Sequence, residues 1–554
     1  MPFCKGVFKL NQTWWKEAVV YQVYWRSFYD SNGDGVGDLQ GVIKKLDYIK
    51  SLGVDVIWLN PCFESPDVDY GYDISDYYSI MEKAGSIEIW EELLQSIHER
   101  GMKLIMDLVV NHTSDQHPWF KESRSSKDHP KRDYYIWRQP KDGNPPNNWR
   151  SYFTPSTWEF DETTGEYYFH SFAVEQPDLN WENPELREEI YKMMRYWLDK
   201  GIDGFRMDAI ALLKKQEGFP DAENPCDIRY LTNNPGIHTF LRELNEKVLK
   251  HYDILTVGEV AFAGPEEGLK YVGEDRNELN SIFHFEVCDE MPKWDLPRYR
   301  EIQNRWYQGL WGKGWNSQFL NNHDHTRQVS RYGNDKEFRV ESAKLLATMV
   351  HTLPGTPYIY QGEEIGMTGV NYSSIHDYKD IALHNKVEEE VSKGRDSFEV
   401  LEELRPLARD NSRTPMQWNS TVNAGFTTGT PWIHVNPNYK EINVENELKQ
   451  SNSVLAYYKE LIQLRKENPV LVYGNLVDIS GKDPHIYAYT RSLESERWLI
   501  MMNHSDESSS LVLPDTHPLK DSKLIIANYA DVHQIEMSDI TLRPHEVRVY
   551  NLTQ

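Results

Sequence analysis

The chain has 554 residues, enough for a large core and two or three domains. Its 60 basic and 86 acidic residues leave a net charge of −26, which argues against nucleic acid and anionic membrane surfaces as partners. No apolar run reaches the length of a membrane span. Four scattered cysteines, Cys4, Cys62, Cys226 and Cys288, match neither a zinc nor a redox spacing and give no disulfide framework. The opening residues Met1 to Lys5 lead into no sustained apolar region, so a cytoplasmic location is expected.

Eight strand-like runs follow in order, most separated by amphipathic stretches such as Leu39 to Leu52 and Ile87 to Arg100. They are Ala18 to Tyr24, Val54 to Leu59, Lys103 to Val109, Gly204 to Asp208, Leu255 to Glu259, Ser281 to Glu286, Phe319 to Asp324 and Pro357 to Gly362. Strands alternating with helices predict parallel βαβ units, and eight of them predict a closed (β/α)8 TIM barrel. From Val110 to Asp178 the chain turns polar and is too long for an ordinary loop, which predicts an inserted subdomain. After Asn475 alternating patterns such as Ile486 to Thr490 and Trp498 to Met502 predict a C-terminal antiparallel β-sandwich. The expected division is a barrel over 1–109 and 179–474, an insertion over 110–178 and a β domain over 475–554.

Three of these runs end in Asp208, Glu259 and Asp324. A parallel barrel gathers its strand ends on one face, where such folds build active sites. Each acid alone is better explained as a cap on the following helix. Together they have the chemistry of glycosidic cleavage, which needs one ionised carboxylate to attack and one protonated carboxyl to release the leaving oxygen. Arg206 stands two residues before Asp208, on the same side of an extended strand, where its charge is expected to keep Asp208 ionised. Partial burial is expected to fit Glu259 as the acid. His323 beside Asp324, and the pair Asn111-His112 after the third strand, supply hydrogen bonds to sugar hydroxyls. A separate run, Asp30-Ser31-Asn32-Gly33-Asp34-Gly35-Val36-Gly37-Asp38, places oxygen donors at alternate positions, as calcium loops do. It lacks the bidentate Glu of an EF-hand, and a metal-free Asp/Gly turn is the alternative.

The chain resembles the α-amylase superfamily, in its oligo-1,6-glucosidase and α-glucosidase branch, from about Trp14 onward. The motifs are Asp107-Leu108-Val109-Val110-Asn111-His112, Gln176-Pro177-Asp178-Leu179-Asn180, Gly204 to Asp208, Gly258-Glu259 and Asn322-His323-Asp324, with Tyr360 to Met367 and Arg409 to Trp418. The resemblance implies Asp208 as nucleophile, Glu259 as acid/base and Asp324 as transition-state stabiliser. It places His112, Arg206 and His323 around the first glucose. It implies a wall of Asp69 and Tyr72, Asp69 pairing with Arg409, so that one terminal glucose is released at a time. It also implies one calcium, sometimes magnesium, held by Asp30, Asn32, Asp34, Val36 and Asp38, with a structural role.

In this branch Val after the nucleophile goes with α-1,6 preference and Ala or Thr with α-1,4 activity, so Ala209 favours maltose-type or sucrose-type substrates. Three stretches depart from the pattern: Trp25, His325-Thr326, and Glu286-Val287-Cys288-Asp289. The last two bear on the leaving-group side. The expected activity is a retaining exo-α-glucosidase acting on small α-glucosides as a monomer or weak homo-oligomer, with transglucosylation at high sugar concentration. Alternatives are an oligo-1,6-glucosidase, a sucrose isomerase, a trehalose-6-phosphate hydrolase, or a non-catalytic relative serving as a binding or transporter-associated subunit.

Overall fold

A computed structural model of the chain describes residues 12–291, 293–514, 519, 522–533 and 539–553. The readings on Cys4 and on Met1 to Lys5 lie outside the described residues. Eight parallel strands form the barrel sheet: β1 (Val20–Val23), β2 (Val56–Leu59), β3 (Lys103–Val109), β4 (Gly204–Asp208), β5 (Leu255–Val260), β6 (Ser281–His284), β7 (Ser317–Gln318) and β8 (Thr356–Tyr360). The hydrogen-bonded order runs β6-β5-β4-β3-β2-β1-β8-β7, with Val20 level with Val56 on one side and Tyr358 on the other. At the seam between β6 and β7 the rings of Phe283 and Phe319 pack edge to face, 4.9 Å apart. Most strand residues are fully buried, since helices cover the outer face and side chains fill the interior. Gly204 (φ 144°) meets the neighbouring strand so closely that a Cβ would lie 1.9 Å from the Leu255 carbonyl oxygen.

The outer helices are α1 (Leu39–Leu52), α2 (Ile87–Glu99), α3 (Pro184–Asp199), α4 (Ile237–Lys247), α5 (Pro265–Val272), α6 (Leu296–Leu310), α7 (Arg339–Thr352) and α8 (Val454–Glu467). Side-chain caps begin several of them: Asp38 accepts from the Gly41 amide and Ser86 from the Ile89 amide. Between β3 and α3 the chain builds a helix, Pro118–Ser125, and a three-stranded antiparallel sheet of Trp137–Arg138, Glu166–Phe169 and Trp158–Asp161. At the C-terminus β9 (Asn475–Asp478), β10 (Ile486–Leu493), β11 (Glu496–Asn503), β12 (Lys523–Ala527) and β13 (Val547–Asn551) form a sheet in the order β9-β10-β11-β13-β12. A two-stranded sheet, Ser509–Val512 with Asp539–Leu542, packs on it through Ala488, Leu499, Met501, Leu511 and Leu542, which makes the expected sandwich. Among the described residues no helix is long and apolar enough to cross a membrane.

Two strand readings change. The sixth run stops at His284, and Glu286 instead opens a short helix, Glu286–Glu290, because its carboxylate is drawn outward onto Trp306 Nε1 (2.7 Å) and Arg305 of α6. In the seventh, pairing covers only Ser317–Gln318, so Asp324 lies in a loop six residues beyond the ladder. There the Asn322 side chain accepts from the Asp324 amide at 2.8 Å and turns the chain toward the barrel mouth. A third excursion, unmarked in the sequence reading, fills the span between β8 and α8. Its helix Ile381–Ser392 docks on the inserted segment through Arg150 to Glu389 (2.8 Å) and Asn385 to the Phe153 carbonyl (3.1 Å), and the helix Ser397–Leu404 packs on that helix through Val400 and Leu401.

Candidate active site

Asp208 ends β4 and Glu259 lies on β5 one residue before its end, so both side chains emerge at the C-terminal mouth of the barrel. Arg206, fully buried on β4, binds them together. Its Nη1 is 2.6 Å from Asp208 Oδ1 and 2.8 Å from Asp107 Oδ1, and its Nη2 is 2.7 Å from Glu259 Oε2. The Ala209 amide donates to the same Glu259 Oε2 at 2.9 Å. Arg206 thus orients one oxygen of each carboxyl, and among the described residues Asp208 Oδ2 and Glu259 Oε1 have no hydrogen-bond or ion-pair partner.

Arg206 is expected to hold Asp208 ionised, and the structure corrects the balance. Burial comes first and lifts the Asp208 carboxyl well above the usual range, the charges on Glu259 and Asp107 add to it, and Arg206 pulls the other way. One guanidinium shared by three carboxylates does not outweigh their enclosure. Asp324 shows the opposite result. Burial raises it, but His323, Arg413 and Arg409 together hold it well below the ordinary value. Arg413 Nη2 donates to Asp324 Oδ1 at 2.7 Å, and Asp324 Oδ2 lies 2.9 Å from His323 Nε2. His323 is itself fixed, with Nδ1 2.8 Å from Gln22 Nε2 and Nε2 2.6 Å from the Tyr72 hydroxyl.

Asp69 and Arg409 are paired. Arg409 Nη1 and Nη2 both lie 3.2 Å from Asp69 Oδ1, and a third acid, Asp380, takes Arg409 Nε at 2.8 Å. His112 Nε2 donates to the Tyr72 carbonyl at 3.0 Å, and the Gln176 amide lies beside it and beside Asp69. Burial pushes the His112 imidazole down to about 4, so it stands neutral among the acids. These groups surround a cavity of about 230 Å³ lined by Asp69, Tyr72, His112, Asp208, Ala209 and Glu259, with Asp324 and Arg409 closing it. All ten residues predicted for catalysis and substrate contact are therefore brought together, eight lining the cavity and Arg206 and His323 behind it.

The leaving-group stretches divide. Asp289, Phe285 and His325 line the cavity, whereas Glu286 faces α6 and Thr326 bonds the Pro406 carbonyl at 2.7 Å. Trp25 is a buried packing residue whose Nε1 donates to the Pro61 carbonyl at 2.8 Å. Burial, with Arg331 adding, pushes His325 down to about 3, and burial lifts Asp289 to about 6. Sequence reasoning missed Asp107, Arg413, Asp380 and Gln176 as working groups. The first two and Gln176 stand inside motifs already singled out; Asp380 carries no local signal.

The Asp30 to Asp38 loop contributes nothing to the cavity lining. Asp30 accepts the amides of Asn32, Gly33 and Gly35 and the Thr427 hydroxyl, and Asp38 those of Ser31 and Gly41. Against burial, these bonds hold Asp30 below the usual range. Among the described residues no three His, Cys, Asp or Glu side chains converge as a metal cage. The donor set is nonetheless all oxygen, as a hard cation requires.

Two carboxyl groups with free oxygens facing one cavity at the barrel mouth, and a third kept ionised beside them, are the equipment of a glycoside hydrolase. Comparison with known proteins agrees. The family described as alpha amylase, catalytic domain, matches residues 22–474, and that described as maltogenic amylase, C-terminal domain, matches 479–549. The chain belongs to the α-amylase family. It is 54% identical to an oligo-1,6-glucosidase of Parageobacillus thermoglucosidasius, over 98% of this chain and 100% of the relative. It is 46% identical to a trehalose-6-phosphate hydrolase of Bacillus subtilis, over 99% and 100%. The crystal structure of an isomaltulose synthase from a Klebsiella species superposes with a TM-score of 0.95 at 43% identity, covering 98% and 100%.

Proposed function

We propose that the chain is a retaining, exo-acting α-glucosidase that removes terminal non-reducing glucose from short α-glucosides. The observation that carries this reading is Arg206, from behind the cavity, bridging Asp208 and Glu259, which face a space walled by Asp69 and Arg409. One guanidinium spanning both carboxyl groups favours the short separation of direct displacement, about 5–5.5 Å, over the wider gap that admits a water between them. Asp208 Oδ2 attacks the anomeric carbon while the Glu259 carboxyl protonates the departing oxygen. Water, deprotonated by Glu259, then hydrolyses the glucosyl-Asp208 ester. A second sugar in place of water gives transglucosylation. Asp324, ionised throughout, stabilises the positive charge that develops on the ring.

The leaving group is read as an α-1,4-linked or sucrose-type sugar. Supporting it is the small side chain of Ala209, which lines the cavity while its amide holds Glu259. An α-1,6 preference is the second reading, favoured by the name of the 54% identical relative. A phosphorylated leaving group is disfavoured, because the only Lys or Arg among the residues lining the cavity is Arg409, already held by Asp69 and Asp380. The test is a panel of maltose, isomaltose, sucrose and trehalose-6-phosphate with product stereochemistry followed by NMR. α-Glucose is expected as the first product and maltose or sucrose as the better substrate. Initial β-glucose overturns the double displacement, and dominant isomaltose turnover overturns the linkage assignment.

We also propose that the Asp30 to Asp38 loop takes calcium in a structural role, with Asp30, Asn32, Asp34, Asp38 and the Val36 carbonyl as donors. Saturating calcium added to chelated protein is expected to raise Tm by a few degrees, about 2–3 kcal/mol at one hundred times Kd, with no change in KM. An unmoved Tm and no heat of binding would rule the site out.

A further inference from the structure

The loop after β5 holds a residue whose backbone is strained and whose ring has no place in the core. Phe262 stands three residues after Glu259 with φ 56°, a left-handed conformation that glycine adopts freely and a bulky residue rarely. The residue is 41% exposed and belongs to none of the buried apolar clusters, yet it lines the cavity. Ala209, on the neighbouring loop, is also left-handed (φ 43°), and there the purpose is visible, since its amide orients Glu259. Strain kept at a site without a packing return points to a use in binding.

Phe262 lines the cavity together with Ala261, Phe285, Asp289 and His325, which belong to the segments that follow β5, β6 and β7, Asp289 on the short helix Glu286–Glu290. Asp69, Tyr72, His112 and Arg409, which enclose the terminal glucose, come from the loops after β2, β3 and β8. The ring therefore lies on the leaving-group side of the bond. A pyranose presents one face of weakly positive C–H groups, and the negative face of an aromatic ring attracts it while keeping water away.

We propose that Phe262 is a specificity-determining residue: its exposed ring is the platform on which the leaving-group sugar, or the acceptor sugar in transglucosylation, stacks. The inference rests on the α-glucosidase reading above. A platform of this kind acts on the ring it touches and not on bond cleavage. It selects neutral leaving groups with an apolar face, and Asp289 and neutral His325 beside it supply polar contacts at that ring's edge.

The test compares wild type, Phe262→Gly and Phe262→Tyr on maltose and on α-glucosyl fluoride, whose leaving group is a single atom and reaches no platform. Glycine relieves the left-handed backbone, so Phe262→Gly is expected to fold and to keep or raise Tm. Its KM for maltose is expected to rise about 10-fold, while kcat/KM for the fluoride stays within about twofold of wild type. Phe262→Tyr, with the ring restored, is expected to recover the maltose KM. Equal losses on both substrates, no loss on either, or no recovery in Phe262→Tyr each overturn the platform. If wild type leaves both maltose and the fluoride intact, the α-glucosidase reading itself fails and the platform falls with it.

Discussion

The two flanks of Asp208 are built differently. On the glucose side Asp69, Arg409, Asp380, Tyr72, His323 and Gln22 are cross-bonded at 2.6–3.2 Å, so each polar group already has its geometry before a sugar arrives. On the proposed leaving-group side Phe262, Phe285, Asp289 and His325 line the wall with few mutual bonds; Arg331 reaches His325 Nδ1 at 3.4 Å through one amino group and the Cys288 carbonyl through the other. Ordering cost is met by the fold on the first flank and left to the substrate on the second. A preorganised flank binds one sugar in one pose. A sparse flank admits a range of partners, and small changes there redirect the chemistry without disturbing its engine.

Substitutions can break that contrast. The largest effect is expected from Asp208→Asn, which keeps the contact to Arg206 but removes the nucleophile: kcat falls by about 10⁴-fold or more with Tm preserved. Retained turnover would remove Asp208 from the chemistry. Next comes Asp69→Ala, which leaves Arg409 partly unpaired and opens the wall. KM for maltose is expected to rise by about 2–3 kcal/mol of lost binding, and product sizing on longer oligosaccharides should then reveal internal cleavage. Products of one glucose at a time would show that the blockage lies elsewhere.

The pH profile sharpens the same contrast. Asp208 must be ionised to attack, and burial holds its pKa above the ordinary value of about 3.9. The acid limb of kcat/KM is therefore expected above about pH 4, as an apparent value of the coupled carboxylates. In stability the two acids have opposite signs. Asp208 binds its proton more tightly when folded, so its contribution is greatest below the unfolded value and fades as pH rises through the folded one. Asp324 is depressed, so its contribution is present above the unfolded value and lost only as pH falls through the folded one. An acid limb at or below about 3.9 would contradict the burial argument. The smallest effect is expected from Ala209→Val, a shift of about 10-fold toward isomaltose in the ratio of kcat/KM values, with no change in Tm.

Legibility in the sequence follows the same division. The third strand and the first helix stand at their predicted bounds, because an uninterrupted apolar run and a 3.6-residue period have few alternative readings. The seventh strand was misplaced because its paired residues, Ser317 and Gln318, are polar while the apolar Phe319-Leu320 that follows leaves the ladder. The excursion between β8 and α8 was invisible because Ile381–Ser392 has an amphipathic pattern no different from a barrel helix; only its docking partners, Arg150 and Phe153, set it apart. Within the site, motif residues were readable and their hierarchy was not. Asp107 and Arg413 are separated from their partners Arg206 and Asp324 by 99 and 89 positions. Whether a guanidinium or burial governs Asp208 depends on how many acids share that one cation, which spacing along a strand does not reveal.

The lining of the cavity also has a sign. Five carboxyl groups, Asp69, Asp208, Glu259, Asp289 and Asp324, face it against the single guanidinium of Arg409. A field arranged to welcome a cationic sugar in passing welcomes any cation of similar size that stays. Hexose-sized protonated amines are thus natural competitors of the substrate. Their hold should weaken with added salt and vanish above the pH at which the amine loses its proton.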